Sequence, residues 1–373
     1  MKKEIFIAKT YQGIEPLLLN ELEELGAVCC EILSRGVRFK GDLELLYRVN
    51  YFSRLSIRVL WQIATFSFRN NNQYYDAIYN ISVEQFLAQD GTMAVSATLH
   101  DTIFNTPLFA ALLAKDAICD RFRAKTNVRP SIDKDAPDVQ FHLHIHKNEA
   151  TFYLDSSGES LHKREYKKSN HIAPLNEITA AAMVQFSGWK GDTDLIDFMC
   201  GSGTILIEAA MLALQIPAGF YRSYYGFFSW KNFDKKLWNK VVSSAEIKDD
   251  IPVDFYGSDI SSRFLGMAQT NVQNASLDDF IHLKKSDLLK TVPQKTPAMV
   301  IINPPYNERL EIEDIDTLYK QIGDTLKQCY KNCTAMIITS NKEAIKSIGL
   351  RTSQKMTFFN GPLECKLLRY ELY

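Results

Sequence analysis

Charge of one sign is what this chain lacks most plainly: 43 Lys and Arg stand against 44 Asp and Glu, a net charge of −1 over 373 residues. Bulk electrostatics therefore announce no polyanionic partner, and phosphate binding would need a local basic face. Long apolar runs are also missing. Met1-Lys2-Lys3-Glu4 leads straight into an alternating segment, with no signal-peptide pattern, so a cytoplasmic protein without membrane contact is expected. The seven cysteines have no paired spacing, which points to reduced thiols and no zinc or other metal. Neither G-x-G-x-x-G nor G-K-[ST] occurs, which removes the dinucleotide fingerprint and the P-loop. With 46% hydrophobic and 23% charged residues, the remainder is ordinary globular composition, enough for two or three domains.

What is present begins with Asn303-Pro304-Pro305-Tyr306, which closes the apolar run Ala298–Ile302. Two prolines end a buried strand abruptly and in a fixed direction. They place the Asn side chain, the Pro304 carbonyl and the Tyr ring together at a strand's carboxyl end, where open α/β sheets bind ligands. Such a trio suits a planar aromatic amine, with two acceptors for its N–H groups and a ring for its face. A purely structural turn is the alternative.

The first 65 residues alternate short elements. Strands are predicted at Glu4–Ala8, Val28–Ile32, Gly36–Lys40 and Ser56–Phe66, and helices at Glu15–Leu25 and Leu43–Val49, the order of a ferredoxin-like α+β module. Residues 71–157 repeat the style, with helices at Tyr74–Tyr79 and Pro107–Arg123 and strands at Thr92–Thr98, Val139–His146 and Ala150–Asp155. His142, His144 and His146 share one face of a strand, and exposed or RNA-facing roles suit them better than a metal. Residues 156–176, rich in Ser, Gly and basic side chains, read as a linker. Beyond a helix from Glu177, strands at Asp194–Met199, Asp254–Asp259, Ile281–Lys284, Ala298–Ile302 and Ala335–Thr339 alternate with helices. The pattern predicts a seven-stranded, mostly parallel, Rossmann-like sheet that ends in an antiparallel hairpin around Asn360-Gly361.

Asp197-Phe198-Met199-Cys200-Gly201-Ser202-Gly203-Thr204 joins a strand to an apolar helix and accommodates an adenosyl ligand, or is a bare turn. Asp259, ending Tyr256-Gly257-Ser258-Asp259, can accept from ribose hydroxyls, and Asp287 from an adenine amine. The separation of loop and acid exceeds the usual ~20 residues because of the aromatic insertion Gly219–Trp230, either a base-stacking surface or a packed satellite core. Two basic stretches, His162–Lys168 (with Lys163 and Arg164) and Arg121, Arg123, Lys125 and Arg129, are either RNA contacts or solvated surface. Glu177 and Glu208 could brace the loop, cap a helix or lie on its surface.

The Gly loop, two acids and Asn-Pro-Pro-Tyr, in this order at successive strand ends, resemble class I S-adenosylmethionine-dependent methyltransferases. Leu161–Arg164, Ala173–Glu177, Asp197–Ala210 and Asn303–Leu310 narrow the likeness to the THUMP-domain RNA methyltransferases, close to the bacterial large-subunit ribosomal RNA guanine-N2 branch. The resemblance implies a ferredoxin-like part at 1–65, a THUMP domain at 66–157 and a catalytic domain at 158–373. It implies S-adenosylmethionine as cofactor, held by Asp197, Cys200, Gly201, Ser202, Gly203, Thr204, Asp259 and Asp287. Catalysis falls to Asn303, Pro304 and Tyr306, and substrate contacts to Pro305, Tyr306, Lys163, Arg164, Arg121 and Arg123. The implied substrate is guanine N2 in ribosomal RNA. Transfer RNA, adenine N6 in DNA and a non-catalytic RNA-binding role are the alternatives. Phe198 departs from the family's usual Pro, and Asn307 from a common Gly. Some relatives carry a second methyltransferase domain, which is not expected here.

Overall fold

The computed structural model describes residues 3–167, 175–305, 315–360 and 363–373. Eight strands form the first sheet: β1 (Glu4–Lys9), β2 (Val28–Leu33), β3 (Gly36–Gly41), β4 (Arg58–Ser67), β5 (Thr92–His100), β6 (Ser131–Ile132), β7 (Val139–His146) and β8 (Glu149–Asp155). Their order is β2-β3-β1-β4-β8-β7-β5-β6. The first four give the antiparallel ferredoxin-like arrangement. β4 pairs with β1 on one side and β8 on the other, so the two N-terminal modules share one continuous sheet. Helices 15–24, 43–52, 71–79 and 107–126 bury Leu18, Leu46, Tyr74 and Ala114 against the face carrying Phe6, Phe39, Phe141 and Phe152. Local chemistry starts the second and fourth of these helices where the sequence suggests, whereas the third begins at Asn71, three residues before the expected Tyr74, because Asn70 caps it. Asp42, Asn70 and Thr106 each accept a first-turn N–H, and Asn127, left-handed at φ 62°, ends the longest.

The second sheet holds β9 (Asp194–Asp197), β10 (Phe255–Asp259), β11 (Ile281–Lys285), β12 (Ala298–Ile302), β13 (Thr334–Thr339), β14 (Gln354–Asn360) and β15 (Leu363–Glu371). Its order is β11-β10-β9-β12-β13-β15-β14; the first five strands are parallel, and β15 is antiparallel to both its neighbours. Strand order reverses between β9 and β12, the crevice where such sheets take ligands. Both faces are buried: Leu195 and Ile301 join the core that runs into the N-terminal modules, and Ile196 and Ile302 join a second core under helix 315–329.

The 156–167 stretch, expected as part of a linker, is buried instead. Ser156 and Ser157 bond to the Asn50 side chain at 2.9 and 2.7 Å, and Tyr166 is enclosed. The aromatic insertion packs against helix 43–52 and the first sheet rather than standing free. Phe227 meets Tyr47 at 4.5 Å between ring centroids, Trp230 meets Trp61 at 6.0 Å, and only Phe220 and Tyr224 remain exposed among its aromatics. Most of that segment is therefore the satellite core, one of the two readings its sequence left open.

Three buried charges, Arg54, Arg164 and Glu208, stitch this seam together with half-buried Glu21. Glu21 accepts from Ser53 Oγ at 2.6 Å and from Arg54 N at 2.7 Å. Arg54 Nη2 donates to the carbonyls of Met211 (2.9 Å) and Ile216 (2.5 Å), at the end of helix 204–213. Arg164 donates to the Leu161 and Arg54 carbonyls, and its Nε lies 3.6 Å from Glu208 of that helix. Glu208 also accepts from the Tyr166 hydroxyl at 3.1 Å. Removing one member of such a set strands the others without water, a loss of about 3–5 kcal/mol. Arg54→Met should therefore lower the free energy of chemical unfolding by that order. A change below about 1 kcal/mol, the range of an exposed ion pair, would contradict the role given to the network.

Candidate active site

The carboxyl ends of β9, β10, β11 and β12 bring the predicted site together. Asp197 closes β9, which stops two residues earlier than expected because its Oδ1 accepts from Met199 N at 3.1 Å and turns the chain. The loop is then pinned from three sides. Cys200 N donates to the Ser258 carbonyl (3.0 Å), Gly201 N to Asp259 Oδ2 (3.0 Å), and Asn271 Nδ2 to the Ser202 carbonyl (3.0 Å). Gly203, at φ 78°, enters helix 204–213 from the left-handed region, and a Cβ there would sit 3.3 Å from that of Ala268. Gly201, at φ 53°, has nothing within 4 Å of where its Cβ would point, so one side of the loop is open to a ligand. Ser202 and Thr204 share a hydroxyl contact of 3.2 Å at the start of the helix.

Asp259 is more occupied than its sequence position suggests. Its oxygens already accept from Gly201 N and from Ser261 N (2.8 Å), which fixes the loop to the end of β10. A carboxylate offers about four lone-pair sites, so the same oxygens still have capacity for ribose hydroxyls. Asp287 lies two residues past β11, whose Lys285 is level with Asp259, and accepts from Leu289 N at 3.1 Å. On the other side of β9, the pairing Val300↔Ile196 carries β12 to the same edge. There Asn303 is half-buried and Pro304 buried, with Pro305 half-buried beside them. Tyr306 and Asn307 lie outside the described residues.

Asp197 is almost wholly buried. Burial pushes its carboxyl well above the usual range, nearby Asp259 pushes it further, and the Met199 N–H opposes both. Cys200, also buried, has its thiol pushed up by burial and by the same two acids, which makes it packing rather than a nucleophile.

The basic candidates divide. Arg164 is 1% exposed and belongs to the internal seam, so the RNA contact expected of it is corrected. Arg121 is corrected likewise: it is 8% exposed and clamps Glu84 with two bonds of 2.9 and 2.7 Å while donating to the Tyr79 carbonyl and Ser82. Lys163 and Arg123 are exposed, near Glu159 (2.9 Å) and Asp120 (3.6 Å). Glu208 is interior, and Glu177 pairs with Lys167 at 3.0 Å. Sequence reasoning missed Arg54 and Asn271. A lone Arg inside Tyr51-Phe52-Ser53-Arg54-Leu55 was the one signal for Arg54, and nothing local distinguishes Asn271 from any Asn on a helix surface.

Comparison with known proteins agrees with this geometry. Residues 164–369 match the RMKL-like methyltransferase domain, 68–155 the THUMP domain, and 5–60 the RlmL ferredoxin-like domain. The chain belongs to the RMKL-like family of S-adenosylmethionine-dependent methyltransferases. It is 37% identical over 98% of its length to a ribosomal RNA large subunit methyltransferase K/L of Syntrophotalea carbinolica, of which it covers 53%. It is also 37% identical to a "putative RNA methyltransferase" of Synechocystis, with 99% of this chain and 97% of the relative covered. The chain thus spans about half the length of the K/L relative. Two solved structures cover all of it at TM-scores of 0.91: a "putative methyltransferase" complexed with S-adenosylhomocysteine (27% identical, 99% of that chain) and a "predicted N6-adenine-specific DNA methylase" of Listeria monocytogenes (26%, 97%).

The open loop and the spare lone pairs fit the family's cofactor. The buried acid behind them gives a separate test. Because the folded-state pKa of Asp197 is raised, its contribution to stability is fully present below the unfolded-state value and is lost as pH rises through the folded-state value. Asp197→Asn keeps the acceptor for Met199 N without that titration. The melting temperature of the variant minus that of the wild type should therefore grow as pH is raised above the ordinary Asp range, about 4. A difference independent of pH would contradict a raised pKa.

Proposed function

We propose that this chain methylates an exocyclic amine of an RNA base, guanine N2 in large-subunit ribosomal RNA. The observation that carries the reading is Asn303-Pro304-Pro305 closing β12 beside the glycine loop that follows β9. When bound, S-adenosylmethionine supplies an electrophilic methyl on its sulfonium. Gly201, Ser202, Gly203 and Thr204 would hold it, with Asp259 on the ribose hydroxyls and Asp287 on the adenine amine. Asp197, a hydrogen-bonded buried acid, supports the loop from behind.

The amine's difficulty is that its lone pair is delocalised into the ring. Accepting one N–H at the Asn303 side-chain oxygen and the other at the Pro304 carbonyl favours a pyramidal nitrogen whose lone pair is free to attack. Tyr306 would stack on the base once it leaves its helix, a contact worth roughly 1–3 kcal/mol. Pro305 would shape the floor beside it. The chemistry then needs proximity and alignment, and no strong base.

The name of the K/L relative supports ribosomal RNA, and the THUMP match supports RNA over DNA. The name of the Listeria structure favours the adenine-N6 DNA reading, which is the second hypothesis. Labelled cofactor offered with ribosomal RNA, transfer RNA and duplex DNA, followed by nucleoside analysis, separates them. N2-methylguanosine in ribosomal RNA is expected, while N6-methyladenine in DNA, or no labelled nucleoside, would contradict the proposal. Asn303→Ala should lower kcat on the order of a hundredfold, the effect of removing one aligned polar partner, with calorimetric affinity for S-adenosylhomocysteine nearly unchanged. Equal losses in both would remove Asn303 from the assigned role.

A further inference from the structure

Helices join the parallel strands of the second sheet except in one place. Helices 204–213, 262–274 and 315–329 follow β9, β10 and β12, whereas β11 reaches β12 through a three-residue turn, Leu288–Lys290, and an irregular stretch. Pro293 and Pro297, with Gln294, Lys295 and Thr296 between them, offer that stretch no apolar stripe on which to wind a helix. The face of β10 and β11 that points away from helices 204–213 and 262–274 is therefore without a helix among the described residues. Register places Tyr256 beside His282 and Ser258 beside Lys284 on this face. Between these strands and residues 286–294 lies a cavity of about 300 Å3, with Tyr330 also in its wall.

The wall combines two kinds of chemistry. Its accessible apolar part is the half-buried Tyr256 ring, 5.3 Å from His282 between centroids, together with exposed Val292. Its charged part is cationic. Lys284 and Lys290 are exposed, neither has a carboxylate within 4.0 Å among the described residues, and no Asp or Glu lines the cavity. Asp254 is engaged by His282 Nε2 at 3.1 Å, and Asp287 by Leu289 N. Tyr330 is wholly buried, and its hydroxyl makes no hydrogen bond among the described residues. Thr291 faces it but gives its own proton to the Leu288 carbonyl at 2.7 Å. Burial pushes the Tyr330 hydroxyl up to about 12, so it stays a donor at neutral pH. A buried donor without an acceptor is costly, and an oxygen or nitrogen entering the cavity would relieve it.

We propose that this cavity binds a free nucleoside monophosphate, with its ring against Tyr256 and Val292, an acceptor on the Tyr330 hydroxyl and its phosphate on Lys284 and Lys290. An aromatic wall with a buried donor suits a flat heterocycle, and two unpaired lysines suit a dianion. The volume is at the lower end of the ~300–1,000 Å3 usual for small-molecule sites. Lys284, Lys290 and Tyr330 have no part in holding S-adenosylmethionine or the acceptor amine, so the site is distinct from the cofactor edge. It adjoins that edge through residues 286–294, which carry Asp287. The site stands whichever base the chain methylates.

The test is calorimetric titration of inosine 5′-monophosphate into the full chain saturated with S-adenosylhomocysteine. The cofactor edge is then filled, and the hypoxanthine ring has no exocyclic amine for Asn303 to hold. One molecule per chain should bind. Lys284→Glu should bind about tenfold more weakly, the effect of losing one charge-assisted contact. Tyr330→Phe should weaken binding several-fold while its melting temperature matches the wild type, because the ring stays in place and only the unpaired hydroxyl goes. Both variants should keep the wild-type affinity for S-adenosylhomocysteine. Absence of binding at about 1 mM ligand, or an affinity that neither substitution changes, would overturn the site. Equal affinity for inorganic phosphate would overturn it too, since the ring wall would then contribute nothing. Each of these failures leaves the methyltransferase reading standing.

Discussion

A cluster of four charged side chains, three of them buried, ties the two halves of this molecule together. Arg54, Arg164 and Glu208 are buried and Glu21 is half-buried beside them, and desolvation works against the charged state of Glu21, Arg54 and Glu208 alike. An isolated ion in that position would be prohibitive, so the two arginines are faced by backbone carbonyls and Glu208, while Glu21 is faced by the Ser53 hydroxyl and the Arg54 N–H. Their owners come from different parts of the chain: helix 15–24, the turn after helix 43–52, the 156–167 stretch and helix 204–213. The last of these helices begins at the glycine loop. The orientation of the eight-stranded sheet relative to the cofactor loop is therefore set by charge pairing, and the Phe227–Tyr47 seam excludes water around it.

That constraint gives the functional proposal its geometry. A methyl acceptor in RNA has to be presented at the edge where Asn303 ends β12 and Asp197 ends β9. A flexible tether would leave that presentation to chance, whereas the ionic seam fixes the distance between the eight-stranded sheet and the candidate edge. Alignment is most of what such a reaction requires from the protein. The loop itself is held by ordinary means, three backbone or side-chain bonds from Ser258, Asp259 and Asn271.

Most of the fold was legible in the residues because local and global signals agree. The alternating run Val139–His146 and the apolar run Ala298–Ile302 became strands with the same bounds. The gathering of the candidate residues at one sheet edge was legible for a different reason: each sits at the carboxyl end of a parallel strand. Arg121 and Arg164 misled because a basic residue in a polar stretch resembles a solvated one, and nothing local reveals a partner such as Glu208, 44 positions away from Arg164. The aromatic insertion kept two readings for the same reason, since stacking on bases and stacking on Tyr47 and Trp61 call for the same rings. Long-range pairing is invisible to periodicity, and the seam is built almost entirely from it.

The claim that the seam makes one cooperative unit is tested most directly by native-state hydrogen exchange. Backbone amides of Leu46–Tyr51 in the ferredoxin-like part and of Ile207–Met211 behind the glycine loop should open with a common free energy and respond alike to denaturant. Two separate opening free energies, with one helix exchanging while the other stays protected, would contradict the account.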